Sequence, residues 1–166
     1  MICPVCGYEN LQGEDNCGNC GADLRTADLP APGSRFERRL LSQPLGGLAP
    51  PRPIAVSPQT SAAEAIARMQ ADGSGAVVVV SEGRVAGIFT ERDALRKLAG
   101  VALDGITVGQ VMTADPVVLR MDDSVAVAIH KMAVGGFRHI PLVDRGTAVG
   151  MISAHDVFRY ILELLG

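Results

Sequence analysis

The chain has no tryptophan, two tyrosines and four phenylalanines among 166 residues, so it has few rings on which single-stranded nucleic acid could stack its bases. It also lacks an excess of basic charge. Fifteen Lys and Arg against eighteen Asp and Glu give a formal net charge of −3, and no global field draws it to DNA, RNA or an anionic membrane. Long apolar runs are missing too: Ala76 to Val80 is far short of the roughly 18 residues a membrane span needs. The N-terminus carries a cysteine pair where a secretory leader needs a basic and then an apolar run. These absences predict a soluble, cytoplasmic protein with no membrane partner and no nucleic acid partner.

Catalytic signatures are equally scarce. There is no GxxxxGK phosphate loop, and no serine or cysteine beyond residue 24 stands in a nucleophile context. The three histidines, His130, His139 and His155, form no catalytic set. The expectation is a protein that is not an enzyme. What is plentiful is Ala, Val and Gly within a 48% hydrophobic composition, which suits a closely packed core of sheet and helix.

All four cysteines lie in residues 1–24, as Cys3-Pro4-Val5-Cys6-Gly7 and Cys17-Gly18-Asn19-Cys20-Gly21. Each CxxC turn carries two thiolates, and bringing the two turns together makes a tetrahedral S4 cage for Zn²⁺, with Fe²⁺ as the alternative. Two disulfides are the competing reading, disfavoured because nothing marks the chain as secreted. A segment this short has almost no apolar core, so metal binding has to supply its folding free energy, on the order of 10 kcal/mol. The pattern CPVCGYEN followed by CGNCGADL resembles the zinc ribbons found at the ends of many prokaryotic proteins. This segment holds Glu9, Glu14, Asp15 and Asp23 and no Lys or Arg, which removes the counterion-release contribution to nucleic acid affinity and favours a structural or protein-docking role.

Residues 25–52 read as a connector, with Pro30, Pro32, Gly33, Pro44, Gly46, Gly47, Pro50 and Pro51 as breakers and a short amphipathic helix expected at Arg35 to Leu41. Beyond it the chain repeats itself. A shift of 63 residues aligns Pro53 with Pro116, Ser61 with Ser124, Met69 with Met132, Gly87 with Gly150, Asp93 with Asp156 and Arg96 with Arg159, without a gap. A duplication in one register predicts an approximate two-fold axis and two equivalent clefts. The units are 53–100 and 101–166.

Each unit reads as strand, helix, strand, strand, helix. The expected strands are Ile54 to Val56, Ala76 to Val80 and Val85 to Phe89, then Val117 to Leu119, His139 to Val143 and Ala148 to Ile152. Ser61 and Ser124 cap the first helices, Glu82-Gly83 and Arg145-Gly146 turn the hairpins, and helices at Glu91 to Leu98 and Ala154 to Leu165 close the units. One unit alone leaves a sheet face bare, so the α+β pair has to pack sheet against sheet.

In this order of elements, and in Gly87-Ile88-Phe89-Thr90-Glu91-Arg92-Asp93 and Gly150-Met151-Ile152-Ser153-Ala154-His155-Asp156, the chain resembles the cystathionine β-synthase (CBS) family, whose repeats occur in pairs. The resemblance covers about residues 43–165. It implies adenosyl ligands such as AMP, ADP or ATP in clefts between the repeats, with adenine against Ile54 and Val117, and a flat homodimer formed through the helices. Chemistry alone agrees: Asp93 and Asp156 can accept both ribose hydroxyls, while Thr90, Ser153 and the helix N-termini face phosphate. The same Thr-x-x-Asp and Ser-x-x-Asp are also capping boxes that need no ligand. Arg92 and His155 precede the aspartates, and Arg138 and His139 enter the second repeat where the first has Gly75 and Ala76, so one cleft is expected to hold phosphate better than the other. The reading is a ligand-sensing module that signals to an unidentified protein partner. Its alternative is a scaffold with empty clefts and a docking ribbon.

Overall fold

The computed structural model describes residues 2–10, 14–25 and 34–166; Pro30, Pro32 and Gly33 of the connector lie outside them. Helix starts and stops recur at the repeat spacing because the capping residues do. Ser61 accepts from the Glu64 amide ahead of α2 (Ala62–Asp72), and Ser124 accepts from the Val127 amide ahead of α5 (Val125–Gly135). Both helices end on a glycine in the left-handed region, Gly73 at φ 67° and Gly136 at φ 65°, a conformation that disfavours a Cβ.

In the first repeat β1 (Ala55–Val56) runs parallel to β2 (Ala76–Ser81), which forms a hairpin with β3 (Arg84–Thr90) and leads into α3 (Glu91–Leu98). In the second, β5 (His139–Asp144) and β6 (Thr147–Ser153) make the hairpin and α6 (Ala154–Leu165) follows. Both hairpin turns have two residues at positive φ, Glu82 and Gly83 or Arg145 and Gly146, as type I′ geometry requires. The expected strand at Val117 to Leu119 is a correction: only Leu119 bridges Leu142. In the first repeat the Val78 amide donates to the Ile54 carbonyl at 2.8 Å. Pro141 stands at the equivalent place and has no N–H to give to Val117.

Two short elements, one ahead of the first-strand segment of each repeat, escaped the sequence pattern. A 3₁₀ turn at Leu45–Leu48 and helix α4 (Val108–Val111) are related by the same shift of 63, and each is four residues long. Their packing crosses over. Leu45 is buried in the core of the second repeat with Val125, Ile140 and Ile152, whereas Val108 and Val111 are buried in the core of the first with Val77, Val79 and Phe89. The chain after each turn crosses as well. β4 (Thr113–Ala114) pairs with β3 of the first repeat, and the Pro51 carbonyl accepts from Met151 of β6 in the second.

Strand alternation then sorts the side chains. Val77, Val79 and Phe89 face their own helices, and Ile140, Leu142 and Ile152 do the same in the second repeat. The opposite faces meet through Ala76, Val78, Ile88 and Met151. The Val85 amide closes this contact at the hairpin end by donating to the Gly146 carbonyl at 3.0 Å.

Helix α1 (Arg35–Ser42) begins at a Ser34–Glu37 capping box, and Leu40 packs on the second repeat while Arg35, Arg38 and Arg39 are exposed. The Val125 amide donating to the Gln43 carbonyl at 2.9 Å ties its end to the same repeat. The two motif glycines differ in surroundings. A Cβ on Gly87 meets the Met112 sulfur and lies 3.0 Å from the Thr113 carbonyl, whereas on Gly150 its nearest neighbours are at 3.4 Å. Gly87→Ala is therefore expected to lose about 1–3 kcal/mol by overpacking and Gly150→Ala clearly less, as read from urea unfolding of the two variants. Equal losses would contradict this difference in packing.

Candidate functional site

The four cysteines converge: all their Sγ atoms lie within 4.8 Å of one another, with Cys3 and Cys17 buried and Cys6 and Cys20 exposed. Cys3 to Cys20 and Cys6 to Cys17 are each 3.7 Å apart, close to the ~3.8 Å edge of a tetrahedron with zinc–sulfur bonds near 2.3 Å. The turns are paired knuckles, with the Gly7 amide donating to the Cys3 carbonyl and Gly21 to Cys17, both at 2.9 Å. Asn10 joins the knuckles by giving its amide hydrogen to the Tyr8 carbonyl and accepting from the Gly18 amide, each at 2.9 Å.

Such crowding cannot leave four thiols alike. Amides of Cys20 and Asn19 hold Cys17 down to about 6. Cys20, although lowered by the Ala22 amide, is pushed up to about 12 by the thiols crowded around it, Cys6 first, then Cys17 and Cys3. A divalent cation relieves that conflict by stabilising every thiolate at once. The set therefore fits a tetrahedral sulfur-ligated metal.

The clefts open between the repeats. One, of about 360 Å³, is lined by Thr90, Arg92 and Asp93 from the start of α3 and by Val117 from the crossing segment. The other, of about 590 Å³, is lined by Ser153, His155 and Asp156 from the start of α6 and by Ile54. Each thus combines the helix start of one repeat with the crossing segment that leads into the other, and Arg138 and His139 border both. All ten residues singled out in the sequence line one or both clefts.

At each helix start the capping box is closed. Asp93 Oδ2 accepts from the Thr90 amide at 3.1 Å and from its hydroxyl at 2.7 Å, and Asp156 Oδ2 does so from Ser153 at 2.9 and 2.6 Å. The second oxygen of each carboxylate faces outward: Asp93 Oδ1 meets Lys97 Nζ and the Thr113 hydroxyl at 3.2 Å, and Asp156 Oδ1 meets Arg159 at 3.0 Å. A carboxylate offers about four acceptor positions, so capping leaves acceptor capacity for a ligand hydroxyl.

A tandem arrangement of this kind is shared with known proteins. The CBS domain model matches residues 46–100 and again 108–163. The chain belongs to the CBS domain family. An uncharacterized 17.7 kDa protein of Acidianus ambivalens is 34% identical over 111 residues, 66% of this chain and 67% of that protein. The meiotically up-regulated gene 70 protein of Schizosaccharomyces pombe is 35% identical over 104 residues, of which this chain spans only 14% of that protein's length. A CBS domain protein of Pyrobaculum aerophilum, solved with AMP, superposes with a TM-score of 0.66 at 26% identity, over 74% of this chain and 97% of that one.

Within this CBS pair the repeat symmetry is broken where charge matters. Arg52 lines the cleft of Asp156, and its repeat-related residue Asp115 lines the cleft of Asp93. Arg52, Asp115 and the shared Glu91 were missed in the sequence; comparing charges across the shift of 63 would have found the first two. Burial lowers His139 below 6.5, and Arg138 adds to this, while a Ser74 backbone hydrogen bond, Glu91 and Asp156 oppose it. For Asp93 burial acts upward, but the Thr90 hydrogen bonds and Lys97 outweigh it and hold the carboxyl below its usual range.

Two outcomes follow. A histidine whose folded value is depressed binds protons more readily unfolded, so its stabilising share is present above about pH 6.5 and lost as pH falls through the folded value. Urea unfolding from about pH 5 to 8 should show that loss in the parent and a flatter profile in His139→Gln; identical profiles would contradict the assignment. Stripping metal with a chelator should unfold the ribbon alone. The Arg25–Asp123 and Lys131–Asp15 pairs, at 3.1 and 3.4 Å, tether it to the second repeat with only about 0–1 kcal/mol each. Proteolysis within residues 2–25 with an unchanged melting transition of the repeats is the expected result, and joint melting would refute it.

Proposed function

We propose that this protein is a regulatory adenosyl-ligand sensor and not an enzyme. AMP, ADP, ATP or another adenosine derivative occupies the clefts between the CBS repeats, and Zn²⁺, in preference to Fe²⁺, holds the ribbon. The observation that carries this reading is the facing of each Thr/Ser-x-x-Asp helix start onto the apolar residue of the other repeat's crossing segment, Val117 or Ile54. The AMP complex of the Pyrobaculum relative supports it. Asp93 and Asp156 receive the ribose hydroxyls on their outward oxygens, Val117 and Ile54 contact adenine, and Thr90, Ser153, Arg92, His155, Arg138 and His139 face the phosphate end.

A ligand regulates only if it binds two arrangements unequally. The segment after Val117 runs to Asp123, which accepts from Arg25 at the base of the ribbon at 3.1 Å, giving cleft occupancy a physical route to the ribbon and to a protein docked there. Leu95 and Phe158, related by the repeat, are 72% and 58% exposed, and Leu162 and Leu165 continue that apolar face on α6. These side chains support a homodimer through the helices. No helix among the described residues is long and apolar enough to cross a membrane, consistent with a role in the cytoplasm.

A scaffold with empty clefts is the second reading, favoured by capping boxes that close without a ligand. A thermal-shift titration with AMP, ADP, ATP and S-adenosylmethionine separates the two. A ligand at a hundred times its dissociation constant adds about 2.7 kcal/mol, and Asp93→Asn with Asp156→Asn, which keep an acceptor for the cap, should abolish the shift. No shift with any of these ligands in the folded parent would leave the scaffold.

A further inference from the structure

Arg138 and His139 border both clefts, yet the chain has one of each, because the repeat-related positions are Gly75 and Ala76. The reason lies in the strand pattern. His139 begins β5 on the face that Met151 and Ala76 use to join the two sheets, so it sits at the wall between the clefts. On the other side of that wall Gly75 has φ +66°, and a Cβ there would lie 3.5 Å from the Glu91 carboxylate and 3.6 Å from the His139 ring. The wall therefore holds one guanidinium, one imidazole and one carboxylate for two sites.

The other cations are private to one cleft or already engaged. Arg92 donates to the Gly136 carbonyl at 2.5 Å, and Arg159 is paired with Asp156. Arg96 serves only the cleft of Asp93, where Asp115 offsets it, and Arg52 serves only the cleft of Asp156, where Asp72 does. Arg138 is exposed, and while its backbone carbonyl accepts from the Ala154 amide at 2.8 Å, its guanidinium makes no hydrogen bond or ion pair among the described residues. It is the one unengaged guanidinium within reach of both clefts. A guanidinium fork satisfies one phosphate bidentately.

We propose that Arg138 is a single phosphate-holding side chain shared by the two clefts, so that a phosphorylated adenosyl ligand in one weakens the binding of a second in the other. This rests on the adenosyl reading above and adds to it a rule of occupancy. The second phosphate finds the fork taken, whereas a ligand without phosphate meets no such obstacle. The coupling is therefore negative for AMP and absent for adenosine.

The experiment is calorimetric titration of the metal-loaded full chain at low ionic strength with AMP and with adenosine. The parent is compared with Asp93→Asn and Asp156→Asn, each leaving one working cleft, and with Arg138→Ala. The expected result is that AMP binds the parent in two steps, the second at least about tenfold weaker than in the weaker single-cleft variant, within the usual span of coupling between sites. Adenosine should fill both clefts with the single-cleft constants. In Arg138→Ala, placed also in the single-cleft backgrounds, the two AMP steps should match the single-cleft constants. Two AMP steps in the parent that already match them, or coupling that survives Arg138→Ala, would overturn the sharing while leaving the sensor intact. Should neither adenosine nor AMP bind the folded parent, the adenosyl reading itself falls, and the sharing falls with it. Where Asp93→Asn or Asp156→Asn folds poorly, Val117→Gln or Ile54→Gln, which crowds the adenine side of the same cleft and leaves the cap intact, supplies the single-cleft constants instead.

Discussion

Burial of a sheet face that neither repeat can cover alone is the constraint on which the rest of this structure depends. Helices α2 and α3, or α5 and α6, cover one face of each hairpin, and the alternate side chains Ala76, Val78 and Ile88 have only Met151 and its neighbours to pack against. At roughly 25 cal/mol per Å² of apolar surface, leaving such a face in water would remove much of the few kcal/mol by which a small domain is stable. The repeats therefore come as a pair, and an interface between two twisted sheets leaves room at its ends. The clefts follow from this packing; no separate element builds them.

The crossing segments decide what those clefts contain. Because the turn at Leu45–Leu48 sits in the core of the second repeat and α4 sits in that of the first, the chain has to pass over the interface twice. Pro51 to Ile54 makes one passage and Thr113 to Val117 the other. Each passage carries an apolar residue across to the capped helix start of the opposite repeat, which is why Ile54 shares a cleft with Asp156 and Val117 with Asp93. Two sites assembled in trans from one duplicated unit respond to any shift between the repeats, as a sensor requires.

Much of this was legible in the sequence because the duplication keeps one register. Caps at Ser61 and Ser124, hairpin turns at Glu82-Gly83 and Arg145-Gly146, and the two Asp motifs repeat at the same interval, so each supports the other. Three things were not legible. The four-residue turns carry too few residues for periodicity to show. The loss of the strand at Val117 turns on one missing amide at Pro141, a tertiary effect of a residue 24 positions away. The trans pairing of Ile54 with Asp156 is set by the crossing, which no local pattern encodes. Cys3, Cys6, Cys17 and Cys20 were the reverse case, since four thiols at two CxxC spacings admit few closed geometries.

The capping box and the ribose contact, which as sequence patterns compete, are compatible as chemistry. A carboxylate has two oxygens, and in both repeats the cap uses Oδ2 while Oδ1 points away toward Lys97 and Thr113 or toward Arg159. The cap fixes the rotamer of the aspartate before any ligand arrives, so a ribose that binds Oδ1 does not have to immobilise the side chain, and preorganisation of this kind lowers the entropic cost of association. The partners of Oδ1 differ between the repeats, an ammonium and a hydroxyl in one and a guanidinium in the other, and a ligand hydroxyl has to join or displace them. The two clefts are therefore unequal at the ribose as well as at the phosphate, and the duplication, once made, has diverged at the atoms that a ligand would touch while keeping its core register intact.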